Sequence, residues 1–224
     1  MTTYLVTGAN RGIGLALAKQ LAGRQDIVLG TARDPGGATE AFEAGVEMLE
    51  LDVADAKSVV GLAEQVGDRP IDVLINNAGV YNDKAGLEET DVEKFNDCMR
   101  VNVAGPLAVT MALLPKLEHG GKQLIVNISS VMGSIGETRN GGSLGYRASK
   151  AALNMLTKAM AVELAPRGIG AVCVHPGWVE TDMGGQGADL RPEESANHLV
   201  VTMDGLTTAD TGRFIDYKGQ DLPW

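Results

Sequence analysis

The chain has 224 residues and a formal net charge of −10, with 44% hydrophobic and 21% charged residues, 29 glycines and 4% aromatics. That length suits one domain, and so acidic a chain excludes the basic surfaces that nucleic acid or an anionic membrane calls for, leaving a small molecule as the expected partner. Many glycines with few aromatics suit an α/β protein with tight strand-to-helix turns. The two cysteines, Cys98 and Cys173, lie far apart without CxxC spacing, so neither a metal knuckle nor a disulfide framework is expected. Met1 runs directly into a strand, and no uninterrupted apolar run reaches bilayer length. No signal peptide or membrane span is therefore expected, and a reducing cytoplasm is the expected setting.

Tyr4-Leu5-Val6-Thr7 reads as the first strand, followed by Gly8-Ala9-Asn10-Arg11-Gly12-Ile13-Gly14 and an amphipathic run from Leu15 to Leu21. Strand, glycine turn and helix form the setting in which backbone N–H groups and a helix N-terminus approach a pyrophosphate. The glycines at 8, 12 and 14 are spaced four then two, unlike the two-then-three spacing of the G-x-G-x-x-G fingerprint. Asp26 to Ala32 is the second strand and ends at Arg33. An acidic residue there would bond a ribose 2′-hydroxyl, whereas a basic one accepts a 2′-phosphate, so Arg33 points to NADP(H), with NAD(H) still possible. Arg11 can add a second charge, and Asp34 is the alternative ion-pair partner of Arg33.

After a short helix within 35–45, Val46 to Leu51 forms the third strand and closes at Asp52-Val53. Asp52 either bonds an adenine amino group or caps the helix that begins near Asp55. Val59 to Val66 is helical, and Ile71 to Ile75 is a buried-type fourth strand running into Asn76-Asn77-Ala78-Gly79. Amides and a glycine at that strand end suit a cofactor-lined crevice. A helical region from Asp91 to Leu117, interrupted near Gly105-Pro106, carries Asn102 between Val101 and Val103. That amide either bonds backbone at a bend or holds a water on a proton path.

Gln123 to Ile128 is the fifth strand and delivers Ser129-Ser130 to the ligand edge, followed by a glycine-rich loop from Val131 to Gly145. A helix from Tyr146 to about Arg167 places Tyr146 and Lys150 on one face, where a fixed positive charge would favour the phenolate. Ala171 to His175 is the sixth strand. Pro176-Gly177 turns the chain at the ligand edge, and Thr181 offers a hydroxyl to a cofactor. His175 reads as a packed strand-end residue. The stretch from Asp182 to Arg191 reads as a loop, Pro192 opens the last helix, Gly212 to Asp216 is the last strand, and the Leu and Trp of the ending Asp221-Leu222-Pro223-Trp224 are expected to pack on the domain or on a neighbouring subunit.

Taken together, Thr7-Gly8-x-x-x-Gly12-Ile13-Gly14, Asn76-Asn77-Ala78-Gly79, Asn102, Ser130, Tyr146-x-x-x-Lys150 and Pro176-Gly177-x-x-x-Thr181 resemble the short-chain dehydrogenase/reductase family. The Gly-Tyr-Arg-Ala-Ser-Lys segment and the Leu-Pro-Trp ending look like its C-factor and sniffer-like carbonyl reductase branch. The resemblance implies a doubly wound Rossmann fold with a seven-stranded parallel sheet and helices on both faces, spanning 1–224 as one domain. It implies Tyr146 as general acid/base, Lys150 lowering its pKa and holding the nicotinamide ribose, Ser130 orienting the carbonyl and Asn102 anchoring a relay water. The implied cofactor contacts are Gly8, Asn10, Arg11, Gly12, Ile13, Gly14, Arg33, Asp52, Val53, Asn77, Ala78, Gly79, Tyr146, Lys150, Pro176, Gly177, Val179 and Thr181.

The expected activity is NADP(H)-dependent reduction of an aldehyde or ketone to an alcohol, or the reverse. A homodimer or homotetramer through the two long helices is implied by the resemblance alone. A cofactor-binding regulatory or intercellular signalling role of the C-factor type is the alternative, because a fold does not fix function. A nucleotide-sugar epimerase also uses a Tyr-x-x-x-Lys pair, but the segment after Thr181 is too short for a separate substrate domain.

Overall fold

The computed structural model describes residues 1–82 and 84–224. Strands β1 (Thr3–Val6), β2 (Ile27–Ala32), β3 (Glu47–Glu50), β4 (Val73–Asn76), β5 (Leu124–Ile128), β6 (Gly170–His175) and β7 (Phe214–Asp216) form one sheet of seven in the order β3-β2-β1-β4-β5-β6-β7. Every pairing is parallel. The helices are α1 (Gly12–Gly23), α2 (Thr39–Glu43), α3 (Ala56–Val66), α4 (Val92–Met99), α5 (Gly105–Glu118), α6 (Leu144–Leu164) and α7 (Pro192–Gly205). This is the doubly wound Rossmann-type architecture expected from the sequence.

The strands are short apolar runs because both sheet faces are covered. Successive side chains alternate between those faces. Tyr4 and Val6 enter a cluster with Leu17 and Leu21 of α1 and Leu199 and Met203 of α7. Leu5 points the other way, to Leu62 of α3, Leu113 of α5 and Met160 of α6. Burying each such side chain contributes about 1.5–3 kcal/mol relative to leaving it in water. Strand order reverses between β1 and β4, so the loops leaving their C-terminal ends diverge and open a crevice there.

The break in the long helical region falls immediately before Gly105-Pro106, as expected from the sequence. A π-helical turn spans Arg100–Ala104, and α5 starts at Gly105 with Pro106 in its first turn, where a missing N–H leaves no bond unmade. The π turn carries Asn102 inward until it is fully buried. The helical run Val92–Leu117 is 26 residues and, by length and composition, apolar enough to cross a membrane, a test that a core helix also passes. Here it lies on the sheet, burying Val109, Leu113 and Leu117.

Beyond β7 the chain doubles back, and the Leu222 N–H donates to the Phe214 carbonyl at 2.8 Å. The Ser134 hydroxyl donates to the Pro223 carbonyl at 2.6 Å, and the Gly136 N–H donates to the Trp224 oxygen at 3.0 Å. The tail therefore packs on its own domain, bracing the loop between β5 and α6.

Candidate active site

The crevice at the β1/β4 switch is a cleft of about 770 Å³. Gly8, Asn10, Arg11, Gly12, Ile13 and Gly14 form one rim, and Arg33, Asp52 and Val53 continue it past β2 and β3. Asn77, Ala78 and Gly79 make the floor, Tyr146 and Lys150 close one end, and Pro176 and Thr181 lie opposite.

The glycine turn is shaped by close approach. Gly8 and Gly12 have φ of 68° and 55°, a region that side chains with a Cβ rarely adopt. A Cβ on Gly14 would overlap the Gly8 carbonyl and the Asn77 amide. The turn is lashed to β4: the Thr7 hydroxyl accepts from the N–H groups of Asn77 and Ala78, both at 3.0 Å, and the Asn77 amide donates to the carbonyls of Thr7 (2.9 Å) and Gly8 (3.2 Å). The asparagine amides thus face protein rather than the cleft. That of Asn76 runs back into the sheet, donating to Asn127 at 2.8 Å.

Arg33 lines the cleft and, among the described residues, makes no ion pair, so Asp34 is not its partner. Arg11 is instead engaged across the mouth of the cleft with Asp182 at 2.8 Å. Asp52 does not cap α3. Asp55 does, accepting from Lys57 and Ser58, while Asp52 accepts from the Ala54 N–H at 2.9 Å. Gly177 and Val179 do not line the cleft. Gly177, at φ 86°, turns against Leu190 and Tyr217, and Val179 is buried in a short bridge to Leu190. Thr181 faces both ways, its hydroxyl accepting from the Gly184 N–H at 3.1 Å.

Tyr146 and Lys150 come together in the first turns of α6, only 8% and 5% exposed. The Ser130 hydroxyl hydrogen-bonds the Tyr146 phenol and accepts from the Met132 N–H at 3.1 Å. Lys150 Nζ donates to the Ile128 carbonyl at 2.8 Å and lies 5.7 Å from the centre of the Tyr146 ring. Here the sequence expectation is reversed. Burial pushes the Tyr146 phenol up to about 12, outweighing the hydrogen bond from Ser130, and pushes Lys150 down to about 8. Desolvation also holds His175 at about 4, neutral at pH 7, away from the cleft lining.

Asn102 acts here on backbone. Its Oδ1 accepts from the Val80 N–H at 2.8 Å, and its Nδ2 donates to the Val80 carbonyl at 2.9 Å and to Ser149 at 3.0 Å. Asn102→Ala leaves those groups unpaired, at a cost of about 2 kcal/mol, read as a Tm about 4–8 °C lower in a thermal melt. An unchanged Tm would mean that the clamp on Val80 carries no stability. Sequence reasoning placed Ser129 at the ligand edge but missed the lashing role of Thr7, and missed Val80, Met183 and above all Tyr81, whose ring lies 4.4 Å from that of Tyr146. Only long-range contacts reveal them, although the hydroxyl of Thr7 at a strand end beside a glycine turn was a readable signal.

The model of the short chain dehydrogenase family matches residues 2–190. The carbonyl reductase Sniffer of D. melanogaster has a solved structure with a TM-score of 0.95, at 33% identity over all of both chains. The NADPH-bound carbonyl reductase from chicken fatty liver gives 0.94, at 33% identity over 100% of this chain and 99% of that one. The C-signal of Myxococcus xanthus is 43% identical over 162 residues, 72% of this chain and 98% of the relative.

Proposed function

The chain belongs to the short-chain dehydrogenase family of oxidoreductases, and from that premise we propose that residues 1–224 act as one NADP(H)-dependent carbonyl reductase domain, with Tyr146 as the proton donor. The observation that carries this reading is the buried Tyr146, hydrogen-bonded to Ser130 and beside Lys150, at the end of a cleft in whose glycine turn Gly14 leaves no room for a Cβ. The residues fit a dinucleotide. Gly8, Gly12 and Gly14 clear space for a pyrophosphate at the N-terminus of α1, and Arg33, with no ion-pair partner among the described residues, is placed for a 2′-phosphate. The NADPH and NADP of the solved relatives support the same choice. When bound, the nicotinamide supplies the hydride in reduction or accepts it in the reverse direction.

The protein's own part is proton handling and orientation. Ser130 and Tyr146 both offer hydroxyl donors to a carbonyl oxygen, aimed at the charge that develops as it becomes an alkoxide. Tyr146 then gives up its proton. Lys150, anchored on the Ile128 carbonyl, has further N–H donors for a ribose hydroxyl and stabilises the phenolate left behind. A pure binding protein, the reading suggested by the C-signal likeness, has no need of a proton donor held this way.

The test is oxidation of NADPH and of NADH, followed at the nicotinamide absorbance band with a panel of aldehydes, ketones and quinones. NADPH is expected to be the better reductant. Arg33→Ala is expected to weaken NADPH binding about 10- to 100-fold while leaving NADH within about threefold, the loss of one or two charged hydrogen bonds. Tight cofactor binding with no turnover in either direction would overturn the reductase reading in favour of the binding one.

A further inference from the structure

Tyr81 sits just outside the motifs, on the loop that leaves β4, and it is held from several sides. Its ring lies 4.4 Å from that of Tyr146, tilted by 31°. Its hydroxyl is 2.7 Å from Ser143 Oγ, and Ser143, 7% exposed, is the N-cap residue of α6 in a left-handed conformation, with φ of 53°. The Ser143 N–H donates to the Ala85 carbonyl at 2.9 Å. The loop itself is pinned by Asn102 on Val80 and by Asn82, whose amide donates to Asp97 at 2.8 Å.

We infer that Tyr81 is a positioning residue for Tyr146: its ring covers the phenol ring against water, and its hydrogen bond to Ser143 ties that cover to the start of the helix carrying Tyr146. The inference rests on the reading of Tyr146 as proton donor. A phenol can turn about its side-chain bonds, and a stacked ring limits that motion while leaving the hydroxyl directed at Ser130. The same cover maintains the dryness that keeps the proton on Tyr146. The polar and titratable groups facing Tyr146 are Ser130 from the end of β5, Cys98 from α4, Lys150 from α6 and Tyr81 itself. On Tyr81 the further charge is Lys84, with Nζ 5.1 Å from the ring centre. Of these, Tyr81 is the group that stacks on the phenol ring, so its removal is what admits water there.

Two readouts test this on the full chain. The first is the pH profile of NADPH oxidation with 4-nitrobenzaldehyde for wild type, Tyr81→Ala and Tyr81→Phe. Because Tyr146 must be protonated to act as the acid, wetting it lowers its pKa and brings the alkaline limb to lower pH. Tyr81→Ala is expected to move that limb down by about one unit and to lower kcat with the Kd for NADPH unchanged, and Tyr81→Phe, which keeps the ring, is expected to restore the limb.

The second readout is a titration of the cofactor-free protein labelled with ¹³Cζ-tyrosine, the Tyr146 signal among the four tyrosines being assigned by its loss in Tyr146→Phe. The Tyr146 signal in Tyr81→Ala is expected to titrate about one unit below wild type. If Tyr81→Ala does not fold, Tyr81→Gln carries the same expectation. Turnover with identical limbs and identical titrations would overturn the role of Tyr81. Absence of turnover in wild type, with the NMR shift present, would instead overturn the proton-donor reading and leave the Tyr81 cover standing.

Discussion

Tyr146→Phe is expected to lower kcat for carbonyl reduction about 10²- to 10⁴-fold while leaving the Kd for NADPH within about threefold. The ring stays, so packing against Tyr81 is kept. What goes is the proton and the hydrogen bond with Ser130. Stopped-flow reduction and cofactor fluorescence titration separate the two quantities. A phenol pushed up to about 12 is almost wholly protonated at pH 7, which suits reduction. The reverse reaction needs the phenolate, so alcohol oxidation is expected to quicken as pH rises through the alkaline range while reduction is level there and falls only near its upper end. A Phe variant that retained more than about a tenth of wild-type kcat would remove Tyr146 from the chemistry.

Gly14→Ala is expected to disable the cleft from the other end. A methyl at that position overlaps the Gly8 carbonyl and the Asn77 amide, and neither is the far end of a flexible chain. Gly8 belongs to the turn itself, and the Asn77 amide is already committed to the carbonyls of Thr7 and Gly8. Relief requires the turn to move away from β4, breaking those bonds. A cost of about 1–3 kcal/mol in stability and a loss of NADPH binding of 100-fold or more are expected, by analogy with overpacked cores in which backbone must shift. Calorimetry gives both in one experiment. Native-like affinity for NADPH in this variant would show that the turn has slack that the close contacts deny.

How far the sequence could be read depended on how local each feature is. The glycine turn, the Tyr146-Lys150 pair and the run of strands and helices are carried by spacing within single elements, so they were legible. The break near Gly105-Pro106 was legible too, but its form as a π turn over Arg100–Ala104 was not: Pro106 is tolerated in the first turn that follows, and Gly105 makes room for Val53. The direction of the Tyr146 shift was not legible at all. Charge from Lys150 is visible four residues away, but the burial that raises the phenol, and the neighbours Tyr81 and Cys98 that add to it, are brought together only by the fold. Nor could the sequence choose between Asp34 and an open cleft for Arg33, or between an adenine contact and the cap of α3 for Asp52, because a strand-end acid looks the same in either role until the backbone aims it.

The lashing of the glycine turn to β4 has a thermodynamic consequence. Thr7 and Asn77 are 70 residues apart, so the cradle exists only when β1 and β4 are paired, and no fragment carrying the turn alone is a nucleotide-binding module. Ligand binding therefore acts on folding as a whole: any nucleotide that requires the paired sheet draws the entire two-state equilibrium toward the native side. At a free concentration of about 100 times its Kd, it adds about 2.7 kcal/mol. A cell rich in the dinucleotide would thus carry, in folded form, variants whose core substitutions leave the apoprotein largely unfolded.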